Sequence, residues 1–214
     1  MIMSKYCLKM DLPLLGPDVL DKVTNCLIQN REYITAPFPV DAMDYTAGPI
    51  EYNTQSPVVA AKTNLVNQLI EESNFSTLNN WPNKIDFIKN ITEPYMTLNF
   101  NKLRFSIQKI EGHGIPCHSD IRSCSLIYTV KGPATTCWYS SNEFKEGSMY
   151  LDKSKLILEE SVNMDLNSWY LFNHYEIHNV ENIEGRERIS FVINLSDRFK
   201  NFDDARNNIQ QIFL

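Results

Sequence analysis

From Tyr95 to Leu195 the chain is a succession of short strand-like segments separated by turn signals. The candidate strands are residues 95–100, 102–111, 115–120, 123–131, 134–140, 155–163, 168–173, 177–182 and 186–195. Glycine and proline mark turns between several of them, as at Gly112-His113-Gly114 and Lys131-Gly132-Pro133. Many short strands in series predict an all-β sandwich or barrel.

The chain before these strands follows a different pattern, which predicts helices. Residues 6–15 form a short extended segment, and apolar residues then recur at helical spacing after Pro17-Asp18. Proline fits there because the first helical turn does not use its missing N–H. Further helices are predicted over residues 56–70 and 81–91, and a closing helix over residues 203–213.

These patterns predict the organisation of the whole chain. With 214 residues and no sign of repeats or a linker, we expect a single domain, residues 1–214. Residues 1–94 would form a helical and loop region that supports the core, residues 95–197 the β core, and residues 198–214 the C-terminal helix. The expected fold class is mainly β with flanking helices, with the N-terminal helices packed on the outside.

The last predicted strand has two distinct faces. Ile189, Phe191, Ile193 and Leu195 alternate with Arg188, Ser190, Val192 and Asn194. The apolar face fits against the helices, and the mixed face then lines the interior of the barrel. An arginine inside a barrel requires an anion, because an unpaired buried charge is very costly.

A candidate metal site begins at His118 and Asp120. Residues two apart on a strand point to the same face, so this imidazole and this carboxylate project side by side. His178 follows on a later candidate strand, in Glu176-Ile177-His178-Asn179-Val180. Two histidines and one carboxylate form the ligand set of non-haem Fe(II) oxygenases, which leaves coordination positions open.

The ordered set His118-x-Asp120, His178 and Arg188-x-Ser190 resembles the 2-oxoglutarate/Fe(II)-dependent oxygenase superfamily over residues 102–197. The short motifs are most similar to those of prolyl hydroxylases and aspartyl/asparaginyl β-hydroxylases. The resemblance implies a double-stranded β-helix core, which is a jelly-roll, cupin-like fold. It also implies Fe(II) on His118, Asp120 and His178, O₂ as oxidant, and 2-oxoglutarate with its far carboxylate on Arg188 and Ser190.

Several neighbouring residues compete for these roles. Tyr128 is a further candidate partner for the cosubstrate carboxylate, against the alternative of a packed core tyrosine. His174 and His178 have the spacing of zinc-peptidase histidines, but their strand-like flanks favour a hairpin with His174 in its turn. Arg186 shares the face of Arg188 but lies closer to the turn. Arg122 is either a solvated loop residue or a contact to substrate or cosubstrate.

Composition limits the cellular compartment and the classes of partner that we expect. A net charge of −6 argues against binding to a phosphate backbone. There is no apolar run long enough for a membrane span, no signal-peptide pattern, and an odd number of scattered cysteines, Cys7, Cys26, Cys117, Cys124 and Cys137. They lack the close pairs of a zinc site, so reduced thiols in a cytoplasmic protein are expected.

The predicted function is a dioxygenase that hydroxylates a peptide, an amino acid or a small metabolite and converts 2-oxoglutarate to succinate. A cupin-like module that binds a metal or small molecule without turnover is the non-enzymatic alternative. A nucleic-acid demethylase is the enzymatic alternative, which the acidic composition disfavours.

Overall fold

The computed structural model describes residues 4–35, 73–112, 114–120, 122–141 and 153–214. The helices in this part are α1 (Val19–Gln29), α2 (Lys84–Thr92) and α3 (Phe202–Asn208). The strands are β1 (Cys7–Met10), β2 (Ile34–Thr35), β3 (Ser73–Leu78), β4 (Arg104–Gly112), β5 (Ile115–His118), β6 (Cys124–Lys131), β7 (Ala134–Ser140), β8 (Ile157–Met164), β9 (Trp169–Asn173), β10 (Ile177–Glu181) and β11 (Glu187–Asn194).

The strands form two antiparallel sheets whose order defines the fold. The large sheet has the order β1-β9-β6-β11-β4-β3-β2, and the small sheet has the order β5-β10-β7-β8. Along the chain, β4, β6, β9 and β11 lie in the large sheet and β5, β7, β8 and β10 in the small one. Eight strands exchanged between two sheets in this way form a jelly roll, so the predicted double-stranded β-helix is confirmed.

The N-terminal third contributes strands as well as helices. β1 pairs with β9 at one edge of the large sheet, while β3 pairs with β4 and β2 pairs with β3 at the other. Sequence patterns gave no sign of β2 and β3. The helix predicted over residues 56–70 lies outside the described residues, and the domain division at residue 94 stays a prediction.

The strand predicted over residues 95–100 is wrong. Only an isolated bridge forms there, between Leu98 and Phe213. The segment instead connects α2 to β4, and Leu98 packs into the core beneath the C-terminal residues. Its alternating apolar residues therefore reflect burial without sheet pairing.

The outer face of the large sheet packs against the helices, as the two-faced last strand predicts. Ile189, Phe191, Ile193 and Leu195 are all buried in one apolar cluster. Buried side chains of α1, α2 and α3 complete it, among them Val19, Val23, Leu27, Ile88, Ile91 and Ala205. Within the described residues, no helix combines the length and apolar character that crossing a bilayer requires.

The inner face of the same sheet is largely polar. Strand register places Thr77, Gln108, Ser190 and Thr129 in one row across β3, β4, β11 and β6. Aromatic and aliphatic side chains fill part of the space between the sheets, including Trp138, Phe172, Val192 and Ile127. The remaining space is a cavity of about 520 Å³, a volume that suits a small ligand.

Candidate metal centre

His118 and His178 face each other across two strands of the small sheet. His118 ends β5 and His178 lies near the start of β10, where the two are direct cross-strand partners. Their ring centroids are 4.3 Å apart. Asp120 follows β5 by two residues, and the ligand atoms of all three side chains lie within 4.8 Å of one another. The structure thus brings together the three predicted ligands.

Backbone carbonyls fix the orientation of both imidazoles. His118 Nδ1 lies 2.8 Å from the carbonyl oxygen of Pro116, and His178 Nδ1 lies 2.8 Å from that of Glu176. A carbonyl only accepts hydrogen bonds, so each Nδ1 carries the proton. In the neutral form of each ring, Nε2 then keeps its lone pair, which is the form that coordinates a metal.

Asp120 is held through one of its two oxygens. Arg122 Nη2 lies 2.5 Å from Asp120 Oδ2, and His174 Nδ1 lies 3.0 Å from the same atom. Among the described residues, hydrogen bonding leaves Oδ1 available. Two Nε2 atoms and one carboxylate oxygen suit a divalent metal that keeps further positions open, so the residues present fit Fe(II).

Burial and neighbouring charges set the protonation states of this cluster. Burial alone would raise the pKa of Asp120, but the His174 imidazole 3.0 Å away and the Arg122 charge outweigh it and hold the pKa well below its usual value. Burial, with the nearby His118, holds the pKa of His178 well below its usual range. At neutral pH Asp120 is therefore ionised and His178 neutral, as metal binding requires.

The same shifts predict an acid-sensitive fold for the metal-free protein. Burial lowers the pKa of His174 to about 4 from 6.5, and the pKa of His178 moves in the same direction. Below pH 6.5 the unfolded chain binds protons that the folded chain does not, so stability falls as the pH drops. We expect a loss of roughly 1 kcal/mol per pH unit for each histidine. Urea unfolding with a chelator between pH 7.5 and 5 measures it, and an unchanged midpoint would contradict the burial of neutral histidines.

Arg188 is a buried cation with no acidic partner among the residues that the structure describes. It is 3% exposed, and its Nη2 contacts Thr129 Oγ1 at 3.3 Å and Met164 Sδ at 3.2 Å. Its Nε has no hydrogen-bond partner, and no ion pair with a carboxylate forms in the described part of the chain. Burial lowers the pKa of Arg188 to about 10, so the side chain stays charged at neutral pH. Such a site requires an anion.

The cavity joins this cation to the candidate metal ligands. Arg188, Ser190, His118, Asp120 and His178 all line it. Arg186, the competing arginine, is exposed on a turn, as expected from its position. Thr129 was not singled out in the sequence, because a bulge in the pairing of β6 with β11 sets its place beside Arg188.

The structure places Tyr128 on the opposite face of the sheet from the cavity. Tyr128 pairs with Phe191, so both side chains point toward the helices. Its ring packs 4.9 Å from that of Trp169, and its hydroxyl lies 3.5 Å from Asn167 Oδ1. It therefore does not line the cavity, and its proposed contact with a cosubstrate carboxylate is corrected to a core role.

The hairpin predicted around His174 is also wrong. β9 belongs to the large sheet and β10 to the small sheet, so residues 174–176 cross from one sheet to the other. The crossing carries His174 into the interior, where it contacts Asp120 and Ser125. Of the two roles expected for Arg122, its position suits a ligand contact better, because it is only partly exposed and lines the cavity beside Asp120.

No protein-family model and no curated protein sequence matches this chain. Solved structures give weak likenesses, among them an oxalate decarboxylase from Bacillus subtilis, with 13% identity, a TM-score of 0.35, and coverage of 59% of this chain and 26% of that one. A vicilin from Solanum melongena gives 11% identity and a TM-score of 0.35, covering 59% of this chain and 29% of that one. The chain thus spans less than a third of either protein. The fold assignment rests on strand order, independent of these likenesses.

Proposed function

We propose that this protein is an Fe(II)- and 2-oxoglutarate-dependent dioxygenase. The observation that carries the proposal is one cavity lined both by the cluster of His118, Asp120 and His178 and by the unpaired Arg188. In this proposal the enzyme hydroxylates a peptide, an amino acid or a small metabolite and decarboxylates 2-oxoglutarate to succinate.

The cluster would hold the metal through His118 Nε2, His178 Nε2 and a carboxylate oxygen of Asp120. Bound iron would supply the activation of O₂, which protein side chains cannot perform. The protein's own contribution is to keep both imidazoles in the ligating tautomer through the Pro116 and Glu176 carbonyls. It also keeps Asp120 ionised, through Arg122 and His174.

Arg188 would bind the far carboxylate of 2-oxoglutarate. A planar guanidinium donates two parallel hydrogen bonds to a carboxylate, which a lysine cannot do. The hydroxyls of Ser190 and Thr129 share the inner row of the sheet beside it, and a hydroxyl can donate to the same anion. The buried environment of Arg188 strengthens such a charged pair because water does not screen it.

The rest of the cavity favours a substrate with an acidic group. Lys84, Arg104, Arg122 and Arg188 line it, whereas Asp120 is the one carboxylate among its described lining residues. Arg104 pairs with Asp197 and Arg122 with Asp120, whereas Lys84 forms no ion pair within the described residues. Lys84 Nζ donates to the backbone carbonyl of Asn79 and to the side-chain Oδ1 of Asn80. A cavity whose cations outnumber its carboxylates attracts anionic ligands, so a carboxylate-bearing amino acid or peptide is the substrate class proposed.

Succinate formation tests the proposal against a binding module without turnover. The Fe(II) protein is supplied with 2-oxoglutarate, O₂ and amino acids or short peptides that either carry or lack an extra carboxylate. We expect succinate to form, faster with the acidic set, and the acidic preference to weaken in Lys84→Ala. Cosubstrate binding without succinate from any candidate would favour the cupin-like binding module.

A further inference from the structure

His174 links the candidate metal ligand Asp120 to the buried core of the large sheet. Its Nδ1 lies 3.0 Å from Asp120 Oδ2, and its Nε2 forms a short hydrogen bond with Ser125 Oγ. A main-chain hydrogen bond also links the two residues, because Asp120 N donates to the His174 carbonyl at 2.9 Å. His174 N in turn donates to the Ser123 carbonyl at 3.3 Å. Both the backbone and the carboxylate of Asp120 are therefore tied to one residue.

The contacts of His174 favour one tautomer. An ionised carboxylate only accepts protons, so the 3.0 Å contact with Asp120 Oδ2 favours the proton on His174 Nδ1, although that N–H is not aligned for a hydrogen bond to the carboxylate. His174 Nε2 is then an acceptor, and Ser125 donates its hydroxyl proton to it. Ser125 is fully buried on β6, which makes it a fixed anchor for the imidazole.

The atom order is also that of a serine–histidine–aspartate triad, but the geometry does not allow nucleophilic chemistry. Ser125 has no exposed surface and is absent from the described lining of the cavity, so no substrate can reach its Oγ. Asp120 also belongs to the cluster that fits a metal. A serine nucleophile must be reachable, and this one is not.

We propose that His174 is a positioning residue for the metal centre, an inference that rests on the metal-binding part of the proposed function. His174 and Arg122 both contact Asp120 Oδ2, so a bound metal would be held through Oδ1. A carboxylate that used both oxygens would occupy a position that the cosubstrate needs. Partners that orient a ligand in this way typically contribute 10- to 100-fold in metal affinity.

Cobalt(II) is the probe, because its electronic spectrum reports coordination without any requirement for activity. His174→Leu removes the Nδ1 contact with Asp120 and the hydrogen bond to Ser125 while filling much of the space. His174→Asn keeps a donor near the position of Nδ1 and loses the bond to Ser125. Thr92→Val is the matched control, because it removes a buried hydrogen bond to Ile88 in α2, away from the site. Affinity is measured by calorimetry, and the spectrum is recorded at saturating Co(II).

We expect His174→Leu to bind Co(II) about 10-fold or more weakly and to show a changed spectrum at saturation. His174→Asn should recover most of the affinity and the wild-type spectrum, whereas Thr92→Val should lose stability alone. Wild-type affinity and spectrum in His174→Leu would overturn the positioning role and leave the metal site intact. If His174→Leu fails to fold, His174→Asn decides instead. Co(II) binding by His174→Asn as weak as that of Asp120→Ala would contradict the expected recovery and overturn the positioning role. No Co(II) binding by the wild type would overturn the metal centre itself.

Discussion

Arg188→Ala should lower the affinity of the Fe(II)-loaded protein for 2-oxoglutarate by about a hundredfold or more. Removing one partner of a buried charged pair costs a few kcal/mol, and about 1.4 kcal/mol corresponds to a factor of ten. Arg188→Lys keeps the charge and loses the planar fork, so its affinity should lie between those of the wild type and the alanine variant. Anaerobic calorimetry of 2-oxoglutarate binding measures all three.

Arg186→Ala is the matched control for this experiment. Arg186 has the same charge, lies two residues away and is exposed on a turn. It should leave cosubstrate affinity unchanged, and iron binding should survive in every arginine variant because none removes a candidate ligand. Equal cosubstrate affinity in the wild type and Arg188→Ala would refute the role of Arg188.

Asp120→Ala should abolish stoichiometric Fe(II) binding while the fold remains. The change removes the only carboxylate of the cluster and leaves two imidazoles, which hold a metal poorly on their own. The fold should persist because Asp120 lies after β5, outside the main apolar clusters, and its partner Arg122 is partly exposed to water. Equilibrium dialysis with iron quantification gives the stoichiometry, and circular dichroism reports the fold.

Asp165→Ala provides the charge-matched control for Asp120→Ala. Asp165 is largely exposed and pairs with Lys9 at the surface, so its removal should leave iron binding intact. Iron affinity equal to wild type in Asp120→Ala would remove Asp120 from the site. Loss of iron in both variants would point to a general effect of charge and not to coordination.

The sequence predicted those parts of the site that depend on strand periodicity. Arg188 and Ser190 alternate with Ile189 and Phe191, and alternation alone decides which side chains share a face. This feature survives because a strand has a two-residue period whatever sheet it joins. Asp120 differs: it was predicted on the same strand as His118, but β5 ends at His118, so the loop after the strand places Asp120 beside it.

The parts that the sequence could not predict depend on pairing between distant strands. Tyr128 lies on the helix side because it pairs with Phe191, and a bulge between Ile189 and Ser190 brings Thr129 to Arg188. His174 reaches Asp120 because the chain crosses between sheets there. Register and sheet assignment arise from the whole packed core, so no local motif encodes them.

Strand β3, which lies between β4 and the short edge strand β2, was missed for a related reason. Its sequence, Ser73–Leu78, is mostly polar and lacks the apolar alternation of a half-buried strand. Its inner face contributes Thr77 to the polar row across the sheet, so a polar sequence suits its position. Strands that line a ligand cavity can therefore escape detection by hydrophobic pattern alone.

Anaerobic addition of 2-oxoglutarate to the Fe(II)-loaded wild-type protein tests the central claim most directly. Chelation of Fe(II) by a 2-oxo acid gives a metal-to-ligand charge-transfer absorption, which reports metal and cosubstrate in one measurement. We predict an absorption band that saturates at one 2-oxoglutarate per iron and is absent when succinate replaces it. An iron-loaded wild-type protein that binds no 2-oxoglutarate and gives no band would contradict the dioxygenase assignment.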